Sequence, residues 1–268
     1  MAPAPALIIC MGTSGCGKSS IGLAVAQALG LPFVDGDDLH PASNVVKMSQ
    51  GHPLTDEDRI PWLLRIRVTA SHLTSKQGVQ ALAHPGPAEA DHINPSDELT
   101  SALSHVHPQT IHLGDEMIKR ERKAVVVGCS ALKRGYRELL SGSKVRLGEN
   151  TIEPEIESDK LETYFIYREW LTTVCKLPNS DTLTMDQRSV HGTRPLLLHR
   201  MSSRPGHFFK APMLDSQLAT LEIPTEDETN VKRINLGQGP EQAEEVGMEG
   251  ISRAAIEVAT EWVGPKVQ

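Results

Sequence analysis

The sequence predicts a three-layer α/β/α sandwich around a mostly parallel five-stranded sheet. Short apolar runs without alternation read as strands buried on both faces. Helical stretches with an apolar stripe lie between them, and a glycine-rich turn joins the first run to the first helix.

Ala6 to Met11 is the first such run. From Lys18 to Leu29, Ile21, Ala24, Val25, Ala28 and Leu29 follow helical spacing, and Gly30 supplies a stop. Pro32-Phe33-Val34 is a short second strand running into Asp35-Gly36-Asp37-Asp38. Ala124 to Val127 is a third strand, after which Ser130 can cap a helix ending near Leu140. Tyr164 to Tyr167 and the weaker Val231 to Leu236 complete the set. Ile251, Ala254, Ala255, Val258 and Trp262 form one helical stripe that packs back onto the sheet.

The 268 residues are read as one domain, with surface insertions at about 77–113, 141–162 and 171–193, where Pro, Ser and acidic residues suppress periodicity. A net charge of −7 argues against nucleic acid as a partner, because such binders need a basic surface. The longest apolar run is too short to span a bilayer, so no membrane partner and a soluble, cytoplasmic chain are expected. The four cysteines (Cys10, Cys16, Cys129, Cys175) show no metal-ligand spacing and read as free thiols in a reducing compartment.

Gly12-Thr13-Ser14-Gly15-Cys16-Gly17-Lys18-Ser19 has the full G-x-x-x-x-G-K-[ST] spacing, between a buried strand and an amphipathic helix. Its glycines let successive N–H groups converge on phosphate oxygens, and the helix start adds its unsatisfied amides, Ser20 included. Lys18 can bridge the β- and γ-phosphates of ATP, and the Ser19 hydroxyl can ligate Mg²⁺. No acid ends the third strand, and no guanine-reading N-K-x-D segment occurs. The acids stand instead after the second strand. Asp37 is placed there as general base or substrate anchor and Asp35 as magnesium partner; the bland alternative is a turn that caps the next helix.

A family resemblance rests on several blocks in a fixed order. They are Asp35-Gly36-Asp37-Asp38-Leu39-His40-Pro41, Asn44, Lys47-Met48, Gly51, Pro53-Leu54, Asp56-Glu57-Asp58-Arg59 and Trp62-Leu63. Further on come Cys129-Ser130-Ala131-Leu132-Lys133-Arg134 with Tyr136-Arg137, Arg204-Pro205-Gly206-His207-Phe208-Phe209, Leu214-Asp215-Ser216-Gln217 and Thr220-Leu221-Glu222. This set resembles the gluconokinase family. The resemblance implies a P-loop kinase fold with a helical lid, related to nucleotide monophosphate and shikimate kinases. It also implies ATP-dependent phosphorylation of D-gluconate to 6-phosphogluconate, feeding the pentose phosphate pathway. A homodimer is raised by the same resemblance, since such relatives often pair.

A sugar-acid pocket needs cations for its carboxylate and polar groups for its hydroxyls. Arg59 offers a planar fork, Lys133 and Arg137 are spaced i, i+4, and His40 and Asn44 could bond hydroxyls. Arg59 could instead join Asp56 and Asp58 in a surface ion-pair cluster at a helix start, since Pro61 suits only a first turn. Trp62, Leu63 and Ile66 read as core. Arg200 and Arg204, also spaced i, i+4, suit a lid that neutralises charge on the transferred phosphoryl, with Gly206 as hinge. The other readings are a different small-molecule kinase of this fold, such as a shikimate-type enzyme, and a non-catalytic ATP-sensing module. Cys16 inside the loop is a further candidate, for oxidation.

Overall fold

A computed structural model describes residues 3–75, 111–112, 120, 122–154, 161–168, 197–199, 211–234 and 240–265. The strands are β1 Ala6–Met11, β2 Phe33–Asp35, β3 Ile111–His112, β4 Ala124–Cys129, β5 Val145–Leu147, β6 Asn150–Ile152, β7 Glu162–Arg168 and β8 Val231–Ile234. The helices are α1 Lys18–Leu29, α2 Ala42–Ser49, α3 Asp56–Thr74, α4 Arg134–Leu140, α5 Ala211–Thr220 and α6 Pro240–Val263, with a 3-10 turn at Gly36–Leu39. No described helix is long and apolar enough to cross a membrane.

The main sheet has the order β3-β2-β4-β1-β7-β8. All five strands expected from the sequence are present and run parallel. A sixth, β3, pairs antiparallel with β2 inside the 77–113 stretch read as a surface insertion. Two residues are too few to leave a periodic signal. β1 is central, paired in register from Ala6 opposite Ala124 to Met11 opposite Cys129, and with β7 along its other edge.

Alternation along β1 sorts the core into two faces. Leu7, Ile9 and Met11 pack with Val125, Val127, Leu63 and Ile66 of α3, and Tyr136 and Leu139 of α4. Ala6, Ile8 and Cys10 pack with Ile21 and Val25 of α1 and Ile251, Ala255 and Ala259 of α6. Helices therefore cover both faces, and the three-layer sandwich follows. In α1 the buried stripe passes through Ala26, whereas Ala28 is exposed. Gly30 ends that helix in the left-handed conformation, φ 63°, as expected.

Three sequence expectations are corrected. The 141–162 stretch is not wholly a surface excursion, because β5 and β6 form a hairpin that buries Val145 and Leu147 in the core. Ser130 does not cap α4: the helix begins at Arg134, whose N–H donates to Glu222 Oε2 at 2.7 Å. Pro61 lies inside α3 rather than in its first turn, because a capping box between Thr55 and Asp58 starts the helix earlier. Pro61 and Glu57 are both exposed, so the carbonyl that loses its helical donor is on the solvent side.

Candidate active site

The site lies where the C-terminal ends of β1, β2 and β4 meet, as the crossover rules of open parallel sheets dictate. Gly12 leaves β1 with φ 143°, and a Cβ there would stand 2.8 Å from Cys16 Sγ. The loop thus closes over its own thiol, which is 1% exposed and packs with Leu197 and Leu214. That burial shields Cys16, read from sequence as open to oxidation. Gly17 adopts φ 91° at the start of α1, where no side chain caps the helix. The first-turn amides, Ser19 and the exposed Ser20 among them, are therefore left to an anion.

Lys18 is 7% exposed. Burial opposes its charge, yet the fields of Asp37, Cys16 and Asp35 outweigh it and hold the ammonium above its ordinary range. The Ser19 hydroxyl donates to Asp35 Oδ2 at 2.8 Å, and Asp35 Oδ1 accepts the Asp37 N–H at 3.1 Å. Asp35 thus caps the turn, the bland alternative read from sequence, and also accepts from the P-loop serine. Gly36 permits this approach: a Cβ there would lie 2.5 Å from the Gly128 carbonyl oxygen.

Beside the phosphate loop a cavity opens, lined by Asp37, His40, Arg59, Trp62, Ser130 and Gln217, with Met48, Pro53, Leu54, Met213 and Ser216. Trp62 is anchored by its Nε1–H to the Gly36 carbonyl at 2.7 Å, and His40 stacks on it with ring centroids 4.2 Å apart. Trp62 is core, as read, and also a wall of the cavity. Burial, helped by the positive charges of Arg59 and Arg65, pushes the His40 pKa down to about 3, so its ring is neutral at physiological pH.

Arg59 is not part of an acidic cluster. Asp58 pairs with Lys47 at 2.5 Å and Asp56 with Lys133 at 2.8 Å, while Arg59 lines the cavity. One of its nitrogens, Nη1, donates to the Leu54 carbonyl at 2.7 Å and reaches Tyr136 Oη at 3.4 Å. The guanidinium is thereby aimed, and no carboxylate among the described residues forms an ion pair with it.

Three predicted substrate contacts have protein partners of their own. Arg137 is 2% exposed and consumed by Glu228 and by the carbonyls of Ala131, Leu132 and Glu222, so it holds the turn after β4 instead of a ligand. Asn44 is 3% exposed; its amide donates to the Asp58 carbonyl at 2.7 Å and lies 3.3 Å from His40 Nδ1, which makes it a support for His40. The Lys133 ammonium is held by both oxygens of Asp56 and is not among the residues lining the cavity. Arg200 and Arg204, with the Gly206 hinge, lie outside the described residues, as does Cys175.

The Cys129–Arg137 block does border the cavity, through Ser130; sequence reasoning missed the supporting roles of Tyr136 and Asp56, and Gln217, whose Oε1 accepts the Ser14 N–H at 2.7 Å. Gln217 stood in one of the resemblance blocks, which was its only signal.

A phosphate loop beside a small cavity whose largely apolar wall carries Asp37, His40, Arg59 and Gln217 defines a P-loop kinase of a small acceptor. A family model described as shikimate kinase matches residues 14–59. The probable gluconokinase of Schizosaccharomyces pombe (strain 972 / ATCC 24843) is 31% identical over 239 residues, 89% of this chain and 84% of that one. The gluconokinase of Gluconobacter oxydans (strain 621H) is 33% identical over 228 residues, 85% of this chain and 82% of that one. A solved gluconokinase from Sinorhizobium meliloti 1021 aligns at 28% identity over 97% of this chain and 98% of its own, with a TM-score of 0.48. On the strength of its sequence relatives, the chain belongs to the gluconokinase family.

Proposed function

We propose that this chain transfers the γ-phosphoryl of ATP to D-gluconate, giving 6-phospho-D-gluconate, as a soluble cytoplasmic enzyme. The observation that carries the reading is the placement of Asp37, which lines the acceptor cavity and acts electrostatically on the phosphate-loop Lys18. A carboxylate in that position faces donor and acceptor at once.

Phosphates of ATP rest on the Gly12–Ser19 loop. The guanidinium of Arg59 receives the gluconate carboxylate. Neutral His40 and Ser130 serve its hydroxyls, and Trp62 gives the sugar chain an apolar wall. Asp37 accepts the proton of the terminal hydroxyl as that oxygen attacks the γ-phosphorus. Lys18 stabilises the charge that develops, helped on the sequence reading by Arg200 and Arg204.

The donor set fits Mg²⁺: Ser19 Oγ and Asp35 Oδ2 are hard oxygens 2.8 Å apart, and that ion keeps most of its shell for water and phosphate. When bound, it neutralises charge between the phosphates.

The test is ADP release by purified protein with Mg-ATP and gluconate, shikimate or no acceptor. Release that depends on gluconate is the expected result. Release that follows shikimate, or that ignores both acceptors, overturns the assignment.

A further inference from the structure

The phosphate loop is held from a distant part of the chain at the Ser14 amide. Ser14 N–H donates to Gln217 Oε1 at 2.7 Å, across 203 positions of sequence. Gln217 belongs to α5, which is seated against the loop: Leu214 packs with Cys16, while Met213, Ser216 and Gln217 line the acceptor cavity.

The orientation of this side chain follows from its partner. A backbone N–H can only donate, so the amide group turns its oxygen to the loop. Its NH₂ group, a pair of donors, has no acceptor among the described residues and belongs to a side chain on the cavity wall. Asp37 and Ser130 line that same cavity. Gln217 therefore stands at the seam between donor loop and acceptor space.

We propose that Gln217 takes part directly in phosphoryl transfer. Its oxygen fixes the Ser14 part of the loop, and its NH₂ donates to a γ-phosphoryl oxygen as that group passes to the acceptor. An anionic oxygen is a stronger partner for an amide donor than a neutral hydroxyl is. No bond to Gln217 forms or breaks. The acceptor oxygen bonds to the γ-phosphorus, the bond from that phosphorus to the bridging oxygen breaks, ADP leaves with that electron pair, and the hydroxyl proton goes to Asp37. This assignment rests on the kinase reading above and adds a residue to it.

Two substitutions in the full chain separate the two halves of the side chain. Gln217→Glu keeps an acceptor for Ser14 but sets a negative charge against the phosphoryl. Gln217→Met keeps the length and removes both polar functions. The measurements are kcat and gluconate KM from ADP release, with melting temperature as a control for folding. Expected are losses in kcat of about 100-fold or more for Glu and about tenfold for Met, with gluconate KM within about threefold. The melting temperature should move by no more than ~3 °C for Glu, which keeps an acceptor for the buried Ser14 N–H, and by a few degrees more for Met, which removes it. Both variants keeping kcat within about twofold of the parent overturn the Gln217 assignment alone. So does a fall in kcat matched by a comparable rise in KM and a large fall in melting temperature, which marks a purely structural role. A parent chain without gluconate-dependent ADP release overturns the kinase reading and this assignment together.

Discussion

Arg137 and Glu228 form a two-pronged ion pair closed to solvent, with Nε to Oε2 at 2.6 Å and Nη2 to Oε1 at 2.8 Å. Their side chains are 2% and 8% exposed. The third nitrogen of the fork reaches the Ala131 and Leu132 carbonyls, on a turn where Ala131 is held at φ 41°. That left-handed backbone is strained for a residue with a Cβ and persists because the pair fixes its surroundings. Glu228→Ala leaves a buried guanidinium without its counter-charge and should cost about 3–5 kcal/mol in urea unfolding. A loss below about 1 kcal/mol would place the pair among ordinary surface bridges.

Lys18→Ala removes the buried cation of the phosphate loop. We expect kcat to fall by about 10²–10³-fold, because the lost interaction is strongest on the charge of the transition state. Turnover within a few-fold of the parent, measured as ADP release with gluconate, would remove Lys18 from the mechanism.

Asp37→Asn keeps the shape of the cavity wall and abolishes proton acceptance. Turnover should drop by about 10²–10⁴-fold, the range of a positioned general base. Binding of a non-hydrolysable ATP analogue, followed by calorimetry, should stay within about threefold. Weakened nucleotide binding alongside high residual turnover would assign Asp37 to the nucleotide and not to the proton.

His40 titrates far below its ordinary range, with a folded pKa of about 3 against 6.5. Between those values the unfolded chain binds a proton that the folded chain does not. Stability from this group is therefore complete above about pH 7 and is lost as pH falls from there toward about 3. The imidazole signals should show no titration step between about pH 5 and 8 by NMR. His40→Phe retains a ring to stack on Trp62 and should flatten the acid limb of the stability profile; an unchanged slope would place the titration elsewhere.

Local patterns in the chain carried much of this architecture. The β1 run, the P-loop spacing and the Lys18-to-Leu29 stripe each lie within a dozen neighbouring residues, and their bounds could be read directly. The tight turn at Asp35 announced itself in the same way. Partnerships formed across the fold left no such trace. Lys133 and Arg137 looked like neighbours on one helical face, but α4 starts at Arg134, so Lys133 stands just before it and meets Asp56 while Arg137 turns inward to Glu228. Asp58 and Arg59, adjacent in sequence, separate into a capping box and a cavity wall because successive helical positions face about 100° apart. Gln217 was visible as a block member, yet nothing near it in sequence could indicate an amide on the far side of the chain.

The central position of β1 bears on how the site can move. This strand is laddered along both edges, to β4 and to β7, and the phosphate loop is its direct continuation. Its amides should exchange with solvent only when the whole domain opens, so the loop is rooted in the slowest-exchanging part of the molecule. Part of the acceptor wall shares that root through Trp62, Asp37 and Ser130, whereas α2 and α5 meet through the small apolar contact of Met48, Leu54 and Met213. Breathing of the centre should therefore be one-sided: the phosphate loop and the strand-end residues stay fixed as a template, and the α2–α5 edge of the cavity is the part freest to give way.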